Sequence, residues 1–174
     1  GMGISQGAAL RVVTERTKMA MPETAIGLFP DVGGGYFLSR CPGRVGEWLA
    51  LTGDTIGAGD AIAYQLADGC MPSDRQAAVW DALATQSFAD GAAIKAYVAS
   101  QFVAAQASGS SAQADIDQYF ALPTVGDIVR GLEAAHSDWA RATAATLRKR
   151  SPLMLHVVLE QIRRARTMGL ADDL

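Results

Sequence analysis

Histidine and cysteine are scarce, with two of each in 174 residues. His136 and His156 stand far apart and lack acidic or cysteine company at ligand spacing, so no metal constellation is expected. His156 falls on a predicted helix, where a surface or packing role is favoured. Cys41 and Cys70 are too few and too unpatterned for a disulfide framework or a zinc site. That fits a reducing compartment, and a cytoplasmic location is expected. No apolar run approaches the roughly 20 residues of a membrane span, and no signal-peptide pattern opens the chain, so no membrane association is expected. Positive charge is not in excess: the formal net charge is −3, which argues against general attraction to nucleic acid or anionic lipid. Gly33–Gly35 are not followed by Lys-Ser/Thr, which removes a P-loop.

What is present reads as a globular chain, 49% hydrophobic and 19% charged, of a length suited to one ordinary domain. It opens GMGISQGAAL, small and apolar, like the start of a buried helix rather than a free terminus. Gly1-Met2 reads either as an added residue before a start methionine or as internal sequence. A helix is predicted from Gly3 towards Leu10, a short strand at RVVTE (11–15), and another at 18–21. Pro22 and Pro30 bracket an irregular segment. Asp31 precedes three glycines and YFLSR, which predicts an aspartate cap and a tight helix entry. Helices are predicted over 45–51 and 59–67, and from Ser73 onward the pattern is almost wholly helical. Later helices are expected at 116–120, 125–132, 139–147 and 152–168, the last begun by Ser151-Pro152. The stretch 107–113 (ASGSSAQ) reads as a linker. The division expected is 1–72, with the early strands and the acidic loop, and 73–174, helical. The strands are too few for an independent sheet, so either the sheet is completed elsewhere or the domain is mostly helical.

Two groups of residues could carry chemistry. Arg148, Lys149, Arg150, Arg163, Arg164 and Arg166 could meet an anion, although a solvated helix face is the better expectation. Glu23 and Asp31 flank an apolar run. Taken bare, Asp31 is a helix cap and Glu23 a surface loop acid. Their apolar neighbours Ala20, Met21, Ile26, Leu28 and Phe29 offer a second reading. A carboxyl held among such groups has its pKa raised by desolvation, which suits a general acid or base. Spacing alone leaves open whether the two side chains converge.

The stretch MPETAIGLFPDVGGGYFLSR resembles the signature of the 3-hydroxyisobutyryl-CoA hydrolase branch of the enoyl-CoA hydratase/isomerase (crotonase) superfamily. LALTGDTIGAGDAIAYQLAD (49–68) is similar to the superfamily's next block, and PTVGDIVRGL and RSPLMLHVVLEQIRRA resemble later segments of the hydrolase branch. Residues 84–114 carry little of the pattern. The resemblance implies an α/β fold, a crotonase-like β/β/α spiral, truncated here to a few short strands followed by mostly α-helices. It implies hydrolysis of a short β-hydroxyacyl-CoA thioester in valine breakdown, with coenzyme A as part of the substrate and no separate cofactor or metal. Glu23 matches the acid shared with hydratases, where it handles a proton. Asp31 matches an acid typical of the hydrolase branch, where it would orient water or manage the proton. Gly1 and Gly3 fall at the helix start beside the oxyanion donors, and are implied to be substrate-binding. One donor glycine would lie immediately before Gly1. Gly3 stands where hydratases carry a second glutamate, which argues against a hydratase.

By the same resemblance the chain is a central fragment, lacking the early strands and the second oxyanion donor, so impaired activity is expected. Two alternatives remain open: another activity of the superfamily, hydratase or isomerase, and an inactive helical fragment that self-associates to bury apolar surface.

Overall fold

The computed structural model describes residues 1–106 and 112–173; within the predicted linker 107–113, residues 107–111 lie outside the described residues. In chain order the elements are α1 (Met2–Gln6), β1 (Val12–Val13), α2 (Gly34–Ser39), α3 (Val45–Thr52), α4 (Ala58–Ala63), β2 (Gly69–Cys70), α5 (Gln76–Thr85), α6 (Gly91–Ala99), α7 (Gln113–Phe120), α8 (Val125–Ala134), α9 (Asp138–Leu147), α10 (Pro152–Ala165) and α11 (Leu170–Asp173). Short 3-10 turns occupy Glu23–Ile26 and Ser73–Arg75. The described residues are mostly helical, as expected, but the second strand falls between α4 and α5 rather than before the helices. Two compact units interleave along the sequence: residues 1–7, 19–55 and 109–174 form one, residues 8–18 and 56–108 the other.

In the first unit α3 is buried along its whole length, and α2, α7, α9 and α10 pack around it. The reason is its sequence, VGEWLALT, apolar on nearly every face. α10 presents a narrower stripe: Leu155, Val158, Leu159, Ile162 and Ala165 are buried at helical spacing, while Glu160 and Arg164 face water. Phe120, Ile116, Ile128, Leu132 and Leu147 complete the core, each removed from water. Burial of such a side chain contributes about 1.5–3 kcal/mol.

The one acid inside this core is accounted for. Glu47 is fully buried, accepts two hydrogen bonds from Arg166 at 2.7 and 2.9 Å, and a third from Arg44 at 2.9 Å. The basic residues of α10 and its approach are thus not simply a solvated face. Arg166 holds Glu47, Arg163 donates to the carbonyls of Phe120, Leu122 and Pro123, and Arg150 donates to the Thr52 carbonyl at 2.9 Å. Arg148 and Arg164 do face water, paired with Glu133 and Glu160.

In the second unit β1 and β2 pair in parallel, Val12 opposite Gly69 and Val13 opposite Cys70. β2 goes unpredicted because DGC lacks β-branched residues. Its glycine serves a contact instead: a Cβ at Gly69 would lie 2.0 Å from the Phe102 ring. Arg11 grips Asp68 through its guanidinium and its peptide N–H, which holds that carboxyl below the usual range. Met71, Val79 and Val98 form the small core, with Leu10, Leu83, Tyr97 and Phe102 against it. The strand predicted at 18–21 does not form; Met19 alone occupies a bridge position, and Pro22, which has no N–H to donate, follows closely.

Candidate functional site

The loop carrying Glu23 and Asp31 lies in the first unit and is tied down at several points. Glu23 opens the 3-10 turn Glu23–Ile26, closed by Gly27 in a left-handed conformation with its φ at +77°. The next residue, Thr24, is fully buried; its Oγ1 donates to the Leu51 carbonyl at 3.0 Å, and its carbonyl accepts the Ser151 N–H at 3.3 Å. The turn is therefore anchored to the end of α3 and the start of α10. Gly53, which closes α3 at φ +68°, lets Pro22 come close: a Cβ there would lie 2.9 Å from the Pro22 Cα. A residue other than glycine would meet both backbone strain and a clash.

Glu23 is only partly exposed, and its Oε2 is buried without a hydrogen-bond partner among the described residues. Burial pushes its carboxyl above the usual range; the Asp31 charge adds to this, while its own peptide N–H opposes it. The two acids that spacing left unrelated are thus within electrostatic reach. Asp31 itself is exposed.

Asp31 does not cap α2 with its side chain, as the sequence leads one to expect. The N-cap is Gly33 at φ +77°, and the Asp31 carbonyl, not its carboxylate, accepts the Gly34 N–H at 2.8 Å. Val32 stands between them at φ +50°, a left-handed conformation unusual for a β-branched residue. Two successive left-handed residues separate Asp31 from the first turn of α2. The Tyr36 N–H of that turn is taken instead by Asp173 Oδ2, at 2.7 Å.

Of the two glycines implied to lie beside substrate, Gly1 is exposed, and its carbonyl accepts the Ser5 N–H at 3.4 Å. Gly3 is partly buried and has no room for a side chain: a Cβ would stand 2.6 Å from Val32 Cβ and 3.0 Å from the Val32 carbonyl oxygen. Ile4, Ile26, Leu28, Phe29 and Val32 are large apolar side chains left exposed on the same two segments, α1 and the acidic loop.

Three residues near these acids go unnoticed in the sequence. Val32 looks like ordinary filler until its φ is known. Gln161, on α10, donates from Nε2 to the Pro30 carbonyl at 2.9 Å, while its Oε1 is buried without a partner among the described residues. Asp54 has its carboxyl raised by burial, against the opposing influence of Arg150 and of a hydrogen bond from Trp48. None carries a local motif that could have flagged it. Among the described residues no three His, Cys, Asp or Glu side chains converge as metal ligands, and no helix is long and apolar enough to cross a membrane.

Known proteins are similar to this chain in sequence and in fold. The enoyl-CoA hydratase/isomerase family model matches residues 1–174. The chain is 36% identical to 3-hydroxyisobutyryl-CoA hydrolase 1 of Arabidopsis thaliana, an alignment covering 100% of this chain and 48% of that protein. It is also 36% identical to small ribosomal subunit protein mS47 of the same plant, over 98% of this chain and 43% of that one. Among solved structures, a carnitinyl-CoA dehydratase from Mycobacterium thermoresistibile superposes with a TM-score of 0.90 at 39% identity, covering 99% of this chain and 50% of that one. The chain spans about half the length of the curated relatives it matches. Matched by the family model from its first residue to its last, and superposable on a solved structure of like sequence, the chain belongs to the enoyl-CoA hydratase/isomerase family.

Proposed function

We propose that the chain contributes the acidic side of a site that hydrolyses a short β-hydroxyacyl-CoA thioester, with 3-hydroxyisobutyryl-CoA, of valine breakdown, as the substrate. The observation that carries the reading is the placement of Glu23, its Oε2 buried without a hydrogen-bond partner among the described residues, on an anchored loop that it shares with Asp31. Hydrolysis needs a group that takes a proton from water as it attacks the thioester carbonyl, and returns one to the departing thiolate. Glu23 suits that role: its carboxyl is held above the usual range, and a buried oxygen is left unpartnered to meet a proton. Asp31, exposed nearby, orients the water and keeps Glu23 basic. The space at Gly3 is consistent with this choice, because Val32 fills the place where a further carboxylate would stand. Coenzyme A enters as part of the substrate, and no other cofactor is required by the reading. Both cysteines are buried and neither is in a disulfide among the described residues, which is what a reducing compartment such as the cytoplasm permits.

The test is direct. The chain is incubated with 3-hydroxyisobutyryl-CoA and with crotonyl-CoA, following free thiol and loss of the double bond. Weak thiol release from the first substrate alone, abolished in Glu23→Gln, is the expected result. Turnover that survives Glu23→Gln, or hydration of crotonyl-CoA, overturns it.

A second reading has its own support. The ribosomal relative is as similar in sequence as the hydrolase, and the acidic loop and α1 carry five exposed large apolar side chains. Such a surface suits association, here with a second copy of the chain. A mass measurement in solution decides: a dimer that dissociates in Phe29→Glu supports it, and a monodisperse monomer removes it.

A further inference from the structure

We propose that Gln161 and Val32 are positioning residues, which grip the Asp31 peptide from both sides and so fix its carboxylate relative to Glu23. The proposal rests on the reading of Glu23 and Asp31 as a working pair, and extends it to residues that touch neither carboxylate.

On one side of Asp31, the Pro30 carbonyl belongs to the peptide that joins the two residues, and it accepts the Gln161 amide at 2.9 Å. Gln161 reaches it from α10, a helix fixed by a buried apolar stripe and by a serine cap with proline in its first turn. On the other side, Val32 is held at φ +50°, where a β-branched side chain is strained. Its side chain lies against Gly3, which has only a hydrogen to offer. A strained residue persists only where its surroundings over-determine it, and Gly3 together with the left-handed Gly33 supplies that constraint.

The polar accounting points the same way. Gln161 donates one good hydrogen bond yet leaves Oε1 buried and without a partner among the described residues, and Glu23 Oε2 is in the same condition. A side chain kept only for stability would be expected to satisfy both ends of its amide. Orphaned groups on and against one loop with a strained backbone are the usual marks of pre-organisation. A shift of about 1 Å in a catalytic group can cost on the order of a hundredfold in rate, so a rigid Asp31 has a purpose.

Titration of the Glu23 carboxyl reads the geometry without needing turnover. The chain is labelled with 13C at glutamate carboxyls, and the Glu23 resonance is assigned by its loss in Glu23→Gln. Its midpoint is then followed in the unaltered chain and in Asp31→Asn, Gln161→Met and Val32→Gly, with circular dichroism confirming the fold. Removing the Asp31 charge should lower the midpoint. Gln161→Met and Val32→Gly, which free Asp31 without discharging it, should lower it by more than half as much. A midpoint unchanged in both, beside a lowered one in Asp31→Asn, overturns the positioning role and leaves the acid pair intact. A midpoint unchanged in Asp31→Asn shows the acids uncoupled, and the hydrolase reading of the pair falls with it. Should Gln161→Met fail to fold, Val32→Gly decides by the same criterion, since glycine relaxes the backbone rather than straining it.

Discussion

Alanine at position 3 measures how firmly α1 and the acidic loop are locked together. Its Cβ would lie 2.6 Å from Val32 Cβ, 2.7 Å from Val32 Cγ1 and 3.0 Å from the Val32 carbonyl oxygen. None of these atoms is the free end of a flexible side chain, so backbone must move. Overpacking of this kind costs about 1–3 kcal/mol. Against it stands the gain of alanine over glycine in a helix, up to about 1 kcal/mol. Gly3→Ala alone should therefore destabilise by about 0–3 kcal/mol. In a Val32→Gly background the Cβ and Cγ contacts vanish, leaving the helix gain against the 3.0 Å approach to the carbonyl oxygen alone. Val32→Gly on its own exchanges the strain of a left-handed valine, about 1–3 kcal/mol, for the greater chain entropy of glycine, about 0.5–1 kcal/mol. The cycle should thus yield a coupling energy of about 1–3 kcal/mol, the double variant being more stable than the sum of the two single changes. Urea denaturation of the four proteins measures it, provided the slopes agree. A coupling below about 0.5 kcal/mol would mean that the two positions act independently, and the interlock would be discarded. The same crowding predicts that Gly3→Glu gains no hydration of crotonyl-CoA.

Three more outcomes follow from the same geometry. Because the Glu23 carboxyl is raised in the folded chain, its favourable contribution is complete below its ordinary value of 4.5 and is lost as pH rises through the folded value. Glu23→Gln should therefore melt higher than the unaltered chain at pH 7, with the difference shrinking towards pH 4; a lower melt at pH 7 contradicts the buried, unpartnered placement. Glu47→Leu leaves Arg166 and Arg44 without their acid and should cost about 3 kcal/mol in urea, the lower end for a broken buried pair, because the two guanidinium groups keep 30% and 35% exposure; a loss under about 1 kcal/mol would place the pair among surface bridges. Cys70, whose thiol is pushed up by burial and by the nearby Glu15 charge, should resist iodoacetamide at pH 8 until urea opens the fold, and rapid alkylation of the native chain would argue against its burial.

Local signals in the sequence were reliable where a few neighbouring residues decide the outcome. Ser151-Pro152 begins α10 as expected, with Ser151 Oγ accepting the Met154 N–H, because cap and helix lie within one turn. Leu155, Val158 and Ile162 lie three or four residues apart on that helix and form its buried stripe by the same local periodicity. Asp31 misled because its capping depends on the φ of Val32, and that angle is held by Gly3, far back in the chain. β2 escaped notice because Gly69 is chosen for the Phe102 ring rather than for strand propensity. At the site, the two acids were legible as residue types, but their coupling was not. The Gln161 contact to Pro30 spans 131 residues, and no periodicity encodes it.

The interleaving of the two units has a consequence for how the chain is made. α3, buried from end to end, is completed at Thr52, but α10, which covers it, begins only at Pro152. At a synthesis rate of roughly 5–20 residues per second, an apolar helix waits on the order of 5–20 s for its cover. In that interval the intervening stretch 56–108 can emerge and settle around its own small core. A nascent chain of this design exposes α3 as a target for any holding chaperone, and synthesis arrested before α10 would leave one side of it uncovered.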